Sequence, residues 1–272
     1  MTRWSVAVFV SVLALAAVPT ALAGQPAPDV QAQPPAPPVP SPPPAPAKHE
    51  IHGAITAGLQ FLSGVTEAHG GSLDAKASRP YSDRGTVNVK ATYNYAKVVV
   101  SDSPRTEIVQ TNRTQASVGM DQAFSTHGVF AARSLYLRDP VQSIFFRFEQ
   151  LAGVGVRYAS PSKRVEFSFV PGLSMVKEDT FLDTPEGWQA GAGFYQRLAA
   201  KVDRTWSLEQ SITYRHDFAV GDLSIEASAE FTGMLTKMVG LQTKYLYVRE
   251  NLEPTGVKPY QQTLQLGLQV KF

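Results

Sequence analysis

The sequence predicts an all-β protein, a twelve-stranded antiparallel transmembrane β-barrel preceded by a signal peptide and a disordered proline-rich segment. Three observations predict it: a secretory N-terminus, short alternating strands separated by turns, and a C-terminal strand with an apolar face. That strand, residues 260–272, carries on its apolar face Leu264, Leu266, Leu268, Val270 and Phe272. Such a face would promote aggregation in water, whereas in a closed barrel it is stable against lipid.

The composition excludes several classes of function. Only 43% of the 272 residues are hydrophobic, and no stretch after residue 23 is apolar enough for a transmembrane helix. A barrel is consistent with this, because only alternate residues of its strands face lipid. The net charge of +2 gives no argument for a nucleic-acid partner. The absence of cysteine excludes disulfides, thiolate metal sites and a cysteine nucleophile.

Residues 1–23 have the features of a secretory signal peptide. Arg3 supplies the positive start, residues 6–18 form the apolar core, and Ala21-Leu22-Ala23 provides a small-x-small cleavage site. The alternative is a membrane anchor, but the apolar run is short for a span and meets Pro19. Cleavage after residue 23 is therefore the prediction.

Residues 24–48 are predicted to be a linker. Eleven of the twenty prolines of the protein lie in this segment. Proline fixes φ and lacks an N–H group, so the segment cannot pair as a strand and should be extended. Two interpretations are open: a periplasmic arm that reaches a partner, or a tether with no partner.

Residues 49–272 are predicted to form the barrel. The alternation of polarity indicates strands at about residues 51–62, 67–77, 87–95, 108–120, 128–137, 146–158, 164–175, 188–198, 205–218, 223–235, 238–248 and 260–272. An even number is typical of bacterial outer-membrane barrels. The connections 100–107, 177–187 and 251–259 are long and are expected on the outside, while 159–163 is a short periplasmic turn.

The polar faces of these strands define the predicted lumen. Its candidate lining residues are Lys90, Arg113, Arg133, Arg147, Glu149, Arg157, Glu166, Arg197, Glu209, Arg215, Glu226 and Glu230. Asp74, Lys76, Arg164 and Lys244 complete the set, which contains ten basic and six acidic residues. Two interpretations are open. An open lumen with this excess would favour small anions, whereas mutual pairing of the charges would narrow or occlude it.

The middle of the chain resembles a known family. The motifs that carry the resemblance are Thr111-Asn112-Arg113, the run LYLRDP at 135–140, Arg147 and the run GVGVRY at 153–158. In their order and spacing they resemble the salt-induced outer-membrane proteins, a β-barrel domain family of unknown function. The resemblance implies an outer-membrane barrel and supplies no catalytic residues.

An outer-membrane lipid hydrolase is the main enzymatic alternative. It would need a serine and a histidine oriented by a third polar group. The candidates are His69 with Ser63, and His216 with Asp217 and Asp222. The acidic loop with Glu178, Asp179, Asp183 and Glu186 has no EF-hand spacing, so a solvated loop is predicted rather than a calcium site.

These features predict a non-enzymatic barrel in the outer membrane of a Gram-negative bacterium, with its N-terminal arm in the periplasm. It would be a narrow channel for small polar or anionic solutes or, as the resemblance implies, an envelope stress component. The predicted partners are outer-membrane lipids, the barrel-assembly machinery through the strand ending at Phe272, and a periplasmic partner of the arm. No nucleic acid, cofactor or metal is predicted.

Overall fold

The structure is a computed structural model that describes residues 50–63, 68–102, 105–142, 144–180, 187–219, 221–250 and 260–272. These residues form β1 (His52–Ser63), β2 (Ala68–Ser82), β3 (Gly85–Asp102), β4 (Arg105–Ala123), β5 (Gly128–Asp139), β6 (Ile144–Ala159), β7 (Val165–Thr180), β8 (Gln189–Lys201), β9 (Trp206–Asp217), β10 (Leu223–Met234), β11 (Val239–Glu250) and β12 (Tyr260–Lys271). A short 3-10 turn, Pro140–Gln142, follows β5. The predicted all-β fold is confirmed.

The strands close into one antiparallel barrel in which each strand pairs with its neighbours in sequence. The barrel closes where β1 meets β12, and we call this junction the seam. At the seam the Gly53 N–H donates to the Phe272 carbonyl, and the Phe272 N–H donates to the Gly53 carbonyl, both at 3.0 Å. Closure leaves no unpaired strand edge, as a barrel surrounded by lipid requires.

The two faces of the wall differ as the alternation predicts. On β12, Leu264, Leu266 and Leu268 are exposed on the outer face, whereas Gln265 and Gln269 are buried inside the barrel. Side chains of successive strand residues point to opposite faces, so one residue set meets lipid and the other the lumen. Trp188 and Trp206 are exposed at opposite ends of the outer wall, at the start of β8 and of β9.

Glycines on β6 allow a close approach of β7. A Cβ atom at Gly153 would lie 2.0 Å from the Pro171 carbonyl oxygen, and one at Gly155 would lie 2.0 Å from the Phe169 carbonyl oxygen. Both distances are far below van der Waals contact, so side chains larger than hydrogen would push the strands apart. The glycine alternation of the 153–158 motif therefore has a packing cause.

The two ends of the barrel differ in their connections. The end that carries the start of β1 and the end of β12 also carries short turns, such as 83–84 and 202–205. We call it the terminal end. The opposite end, the loop end, carries the longest connections, 181–188 and 251–259. This asymmetry follows the prediction from loop lengths.

Side chains stabilise the short turns of the terminal end. The Ser160 hydroxyl accepts from the Val165 N–H at 3.0 Å. The Asp203 carboxylate accepts from the N–H groups of Thr205 and Trp206, both at 2.7 Å. These donors hold the pKa of Asp203 below its ordinary value, because they stabilise the charged form.

Several strands are longer than the sequence predicted. β3 continues to Asp102 and β4 begins at Arg105, where the alternation indicated a connection at 100–107. β2 extends to Ser82 and β7 to Thr180, beyond the predicted ends at 77 and 175. Strand ends beyond the lipid zone can pair their backbones without an apolar outer face, so the polarity pattern does not mark them.

The part of the chain that the structure describes contains no helix long and apolar enough to cross a membrane. The predicted signal peptide, 1–23, and linker, 24–48, lie outside the described residues.

Candidate functional site

The inner wall carries the twelve residues that the sequence predicted for the lumen. Nine of them line one central cavity: Lys90, Arg113, Arg133, Arg147, Glu149, Arg197, Glu209, Arg215 and Glu226. Glu166 and Glu230 border a second, smaller cavity nearer the terminal end. Arg157 follows Arg147 on the same face of β6, by strand alternation.

The central cavity has a volume of about 510 Å³, which is within the range of small-molecule sites. Its charged lining comprises eight basic residues, Lys76, Lys90, Arg113, Arg133, Arg147, Arg197, Arg215 and Lys271, and four acidic residues, Glu149, Glu209, Glu226 and Glu250. The cavity is therefore lined mainly by positive charge, although several of these cations are paired.

One ion pair crosses the bore. Arg113 Nη2 donates to Glu226 Oε2 at 2.9 Å. Arg113 lies on β4 and Glu226 on β10, which are six strands apart in either direction around a ring of twelve. The side chain of Gln115 reaches the same carboxylate at 3.3 Å. Side chains from opposite walls thus meet inside the lumen and narrow it.

A second bridge lies near the loop end. The Arg147 guanidinium on β6 binds Glu250 on β11 and Glu178 on β7. Its Nη2 donates to Glu250 Oε2 at 3.0 Å, and all three side chains are largely buried. Two carboxylates on one guanidinium satisfy most of its donors, so Arg147 has little capacity for another anion.

Glu178 and Glu250 correct the sequence analysis. Glu178 was predicted to belong to a solvated acidic loop, but it lies on the inward face of β7 against Arg147. Glu250 lies two residues beyond the predicted end of β11. The predicted excess of ten basic over six acidic lumen residues is therefore too large, because the wall also carries these carboxylates and Asp121.

Arg215 lies between two carboxylates at the loop end. Its Nη2 donates to Asp222 Oδ2 at 3.3 Å. Its Nε lies 3.9 Å from Glu149 Oε2, which is too long for a hydrogen bond. The side chain is 3% exposed, so this N–H group is buried.

Ion pairs also fill the half of the lumen nearer the terminal end. Lys244 Nζ on β11 donates to Asp74 Oδ1 on β2 at 2.7 Å, and Thr92 donates to the same oxygen at 2.8 Å. Lys76 binds Glu230, which lies four strands away around the barrel. These bridges also connect non-adjacent strands, so they hold the lumen narrow along much of its length.

Arg133, on the inner face of β5, contacts an aromatic ring as well as a carboxylate. Its guanidinium carbon lies 3.4 Å above the ring centre of Tyr195 on β8, and its Nη2 donates to Asp121 at 3.2 Å. Stacking a guanidinium on an aromatic ring is favourable in a desolvated site. Tyr195 shares its face of β8 with the predicted lumen residue Arg197, but only charged side chains of that face were predicted as lumen candidates.

The inner wall also carries apolar side chains, which the predicted polar lumen did not include. Leu137, Leu151 and Val248 are buried and line the central cavity. Val170 and Val176 are likewise buried on the inward face of β7. Apolar side chains of β5, β6 and β11 therefore lie among the charged residues of the cavity wall.

The second cavity, of about 240 Å³, lies near the terminal end. Its basic lining residues are Lys76, Lys163, Arg164, Arg197, Lys201 and Lys271, and its acidic ones are Glu166, Glu209 and Glu230. Positive charge therefore predominates at this mouth of the lumen. Such a mouth attracts anions, because low-dielectric walls focus the field of the charges.

His216 lies on the outer face of β9, away from Asp217 and Asp222, the acidic residues considered with it. The His216 ring packs edge-on against Phe218, with the ring centres 6.0 Å apart. Asp217 is buried on the inner wall, and Asp222 binds Arg215. The His69 ring packs against Phe61. The side chain of Ser63, the candidate partner of His69, lies outside the described part of the structure.

No group of three or more His, Asp or Glu side chains suited to a metal ion occurs among the described residues. Asp183 and Glu186 of the acidic loop lie outside those residues.

Residues 55–272 match the family described as DUF481, proteins of unknown function. The chain belongs to the DUF481 family. This membership confirms the resemblance to a β-barrel family of unknown function that the motifs between Thr111 and Tyr158 indicated. No curated protein matches the DUF481 chain.

Solved structures of outer-membrane proteins resemble the DUF481 barrel. The NanC porin is 10% identical, with 80% of this chain and 100% of that chain covered and a TM-score of 0.52. An outer membrane channel from Pseudomonas putida F1 is 8% identical, with 84% and 99% covered and a TM-score of 0.49. The calcium-bound outer membrane phospholipase dimer from Salmonella typhi is 8% identical, with 80% and 90% covered and a TM-score of 0.44.

At these identities the likeness shows the fold alone. The DUF481 chain has the closed β-barrel fold of these outer-membrane proteins. Its function has to be argued from the inner wall.

Proposed function

We propose that this protein is a non-enzymatic, narrow outer-membrane channel for small polar solutes, with a preference for anions. The observation that carries the proposal is the central cavity of about 510 Å³, lined by eight basic and four acidic residues and crossed by the Arg113–Glu226 pair. Charged rings and constrictions are the means by which channels select ions. The basic mouth at the terminal end supports the same preference.

The constriction would set the size of the solute. Arg113–Glu226 joins opposite walls, and Arg147–Glu250 joins strands five apart around the ring. A solute that passes must fit beside these bridges or displace them. Displacement is costly, because each buried charge would lose its partner. Small solutes are therefore favoured over oligomers.

Single-channel recording tests the proposal. The refolded chain without residues 1–23 is inserted into a planar bilayer with a salt gradient across it. A small steady conductance, with a reversal potential that indicates anion preference, is expected. Arg157→Ala, which changes the charge of the inner wall without touching a cross-bore pair, should reduce the anion preference. A cation-selective pore would contradict the assignment of the lumen charges.

The bridges themselves favour a second candidate, a closed barrel with a structural role in the envelope under osmotic stress. If the cross-bore pairs never open, folded protein will be electrically silent under every salt condition. The absence of conductance, from protein that migrates as a folded barrel in an SDS gel without heating, would therefore support this candidate over the channel.

We also propose the partners that the architecture implies. Outer-membrane lipids would contact the apolar outer wall, and the assembly machinery would bind the strand that ends at Phe272. The proline-rich arm would lie in the periplasm. Deletion of residues 25–47 should abolish capture of any periplasmic partner while leaving barrel folding unchanged, and unchanged capture would exclude the arm as a docking segment.

A further inference from the structure

Two buried arginines in the central cavity keep N–H donors without partners. The Nε and Nη1 groups of Arg113 and the Nε group of Arg215 have no hydrogen-bond partner among the described residues. Both side chains are at least nine-tenths buried, being 4% and 3% exposed. A buried donor without a partner costs free energy, so it is expected where a ligand or water will accept from it.

The two arginines face the same space from different walls. Arg113 lies on β4 and Arg215 on β9, five strands apart around the ring, and both line the central cavity. Arg147, the third arginine near the loop end, is already occupied by two carboxylates. Arg133 Nε also lacks a hydrogen-bond partner among the described residues, but its side chain is 23% exposed. The unpaired donors on fully buried arginines are therefore those of Arg113 and Arg215. They suit an oxyanion, because each free N–H group shares the guanidinium charge and can donate one charge-assisted hydrogen bond to an oxygen.

The rest of the lining indicates what the oxyanion should be attached to. Leu135 is partly exposed and lines the same cavity, next to the more deeply buried Leu137 and Leu151. An inorganic anion would gain nothing from this apolar wall. A hydrocarbon group would be removed from water there, which is favourable in proportion to its area. A solute that bears both a carboxylate and an apolar body uses both features.

We infer that the central cavity is a binding site for a small carboxylate with an apolar body, held by Arg113 and Arg215. This inference rests on the proposed channel function, since the site would then be a selectivity site on the route of the solute. It deepens that function by naming the class of solute. The volume of about 510 Å³ accommodates a molecule of the size of a monocyclic aromatic acid.

Benzoate is the probe, and benzamide, which has the same shape without charge, is its control. Binding to the folded barrel in detergent is measured by calorimetry, and the block of single-channel current is measured in the same protein. Benzoate should bind saturably, and benzamide and acetate should bind at least about tenfold more weakly, because each lacks one of the two interactions. Equal binding of benzoate and benzamide would overturn the proposal.

Variants separate hydrogen bonding from charge. Arg113→Lys and Arg215→Lys keep the charge but lose the free guanidinium N–H donors, and each should weaken benzoate binding by about tenfold or more. Lys237→Gln removes a charge from an exposed turn at the terminal end and should leave binding unchanged. Wild-type affinity in both arginine variants would contradict the site.

Glu226→Gln provides a test in the opposite direction. It weakens the hold on Arg113 Nη2 and frees that donor, so benzoate should bind more tightly than to the wild type. Loss of folding cannot produce tighter binding. A smaller gain in Glu209→Gln, which removes a cavity carboxylate that is paired with Arg197, separates the freed donor of Arg113 from the general loss of negative charge. Weaker or unchanged binding would contradict the role of Arg113.

The experiment distinguishes the two proposals. A barrel that conducts but shows no benzoate binding retains the channel function and loses the site. A barrel that binds benzoate through Arg113 and Arg215 but never conducts retains the site and loses the channel.

Discussion

Arg113 Nη2 and Glu226 Oε2 lie 2.9 Å apart, although the strands that carry them stand on opposite walls of the barrel. The lumen is therefore bridged by side chains whose backbones do not touch. Bridges of this kind depend on closure of the whole ring, because no hairpin contains both partners. They also determine how wide the passage is.

Removal of the Arg113–Glu226 bridge should widen the passage. The double variant Arg113→Ala/Glu226→Ala removes both charges and the side-chain bulk from the bore, and we expect conductance to rise by roughly twofold or more. Planar-bilayer recording checks this. The control is Arg133→Ala/Asp121→Ala, which removes one positive and one negative charge from the inner wall and leaves the Arg113–Glu226 bridge in place. An equal rise in both double variants would show that loss of charge, and not loss of the bridge, is responsible.

Arg147→Ala should destabilise the barrel strongly. It leaves Glu178 and Glu250 buried without their common partner, which typically costs about 3–5 kcal/mol. Urea unfolding in detergent, followed by tryptophan fluorescence, measures the change. The double variant Arg147→Met/Glu250→Gln should be more stable than Arg147→Met alone, because it removes one of the two carboxylate charges that are left without a partner. No recovery would indicate that packing of the arginine stem dominates.

The close approach of β6 and β7 gives a third prediction. Gly155→Ala places a methyl group against the Phe169 carbonyl oxygen, and we expect it to lower the free energy of unfolding by about 1–3 kcal/mol. Gly71→Ala is the matched control, since the nearest atom to a Cβ there is 3.9 Å away. The same unfolding assay compares both variants. Equal losses would show that glycine-to-alanine changes act here through something other than this contact.

Asp203 provides a pH dependence. Its pKa is lowered in the folded state by the N–H groups of Thr205 and Trp206, so its stabilising effect is present above the ordinary pKa of 3.8. The effect is lost as the pH falls through the lowered folded-state value. Unfolding curves of the wild type and Asp203→Asn should therefore differ at neutral pH and converge in acid. A constant difference at all pH values would exclude the charge as its cause.

The sequence predicted the barrel well because lipid imposes a strict rule on its outer wall. On β12, Leu264 to Val270 alternate with glutamine and glycine, as a strand between lipid and a polar lumen requires. The inner wall obeys no such rule. Leu137 shares its face of β5 with Arg133, and Tyr195 shares its face of β8 with Arg197. Parity therefore places both inside, but an apolar or aromatic side chain carries no sign in the sequence that it lines a cavity.

The sequence also could not predict which charged residues of the lumen pair with each other. Polarity placed Arg113 and Glu226 inside, but the register of the intervening strands decides that they meet. Glu178 and Glu250 were missed because their strands continue past the apolar pattern, into the polar rim. The unpartnered donors of Arg113 and Arg215 are a property of three-dimensional packing and leave no mark in the chain.

The seam between Gly53 and Phe272 has a consequence for how the barrel forms. Every other strand pairing is a hairpin between neighbours in sequence, which costs little loop entropy and can form early. The seam joins the first strand to the last and is the most non-local contact of all. Closure must therefore wait for the final residues of the chain. Until then the open sheet has two unpaired edges and needs protection from aggregation.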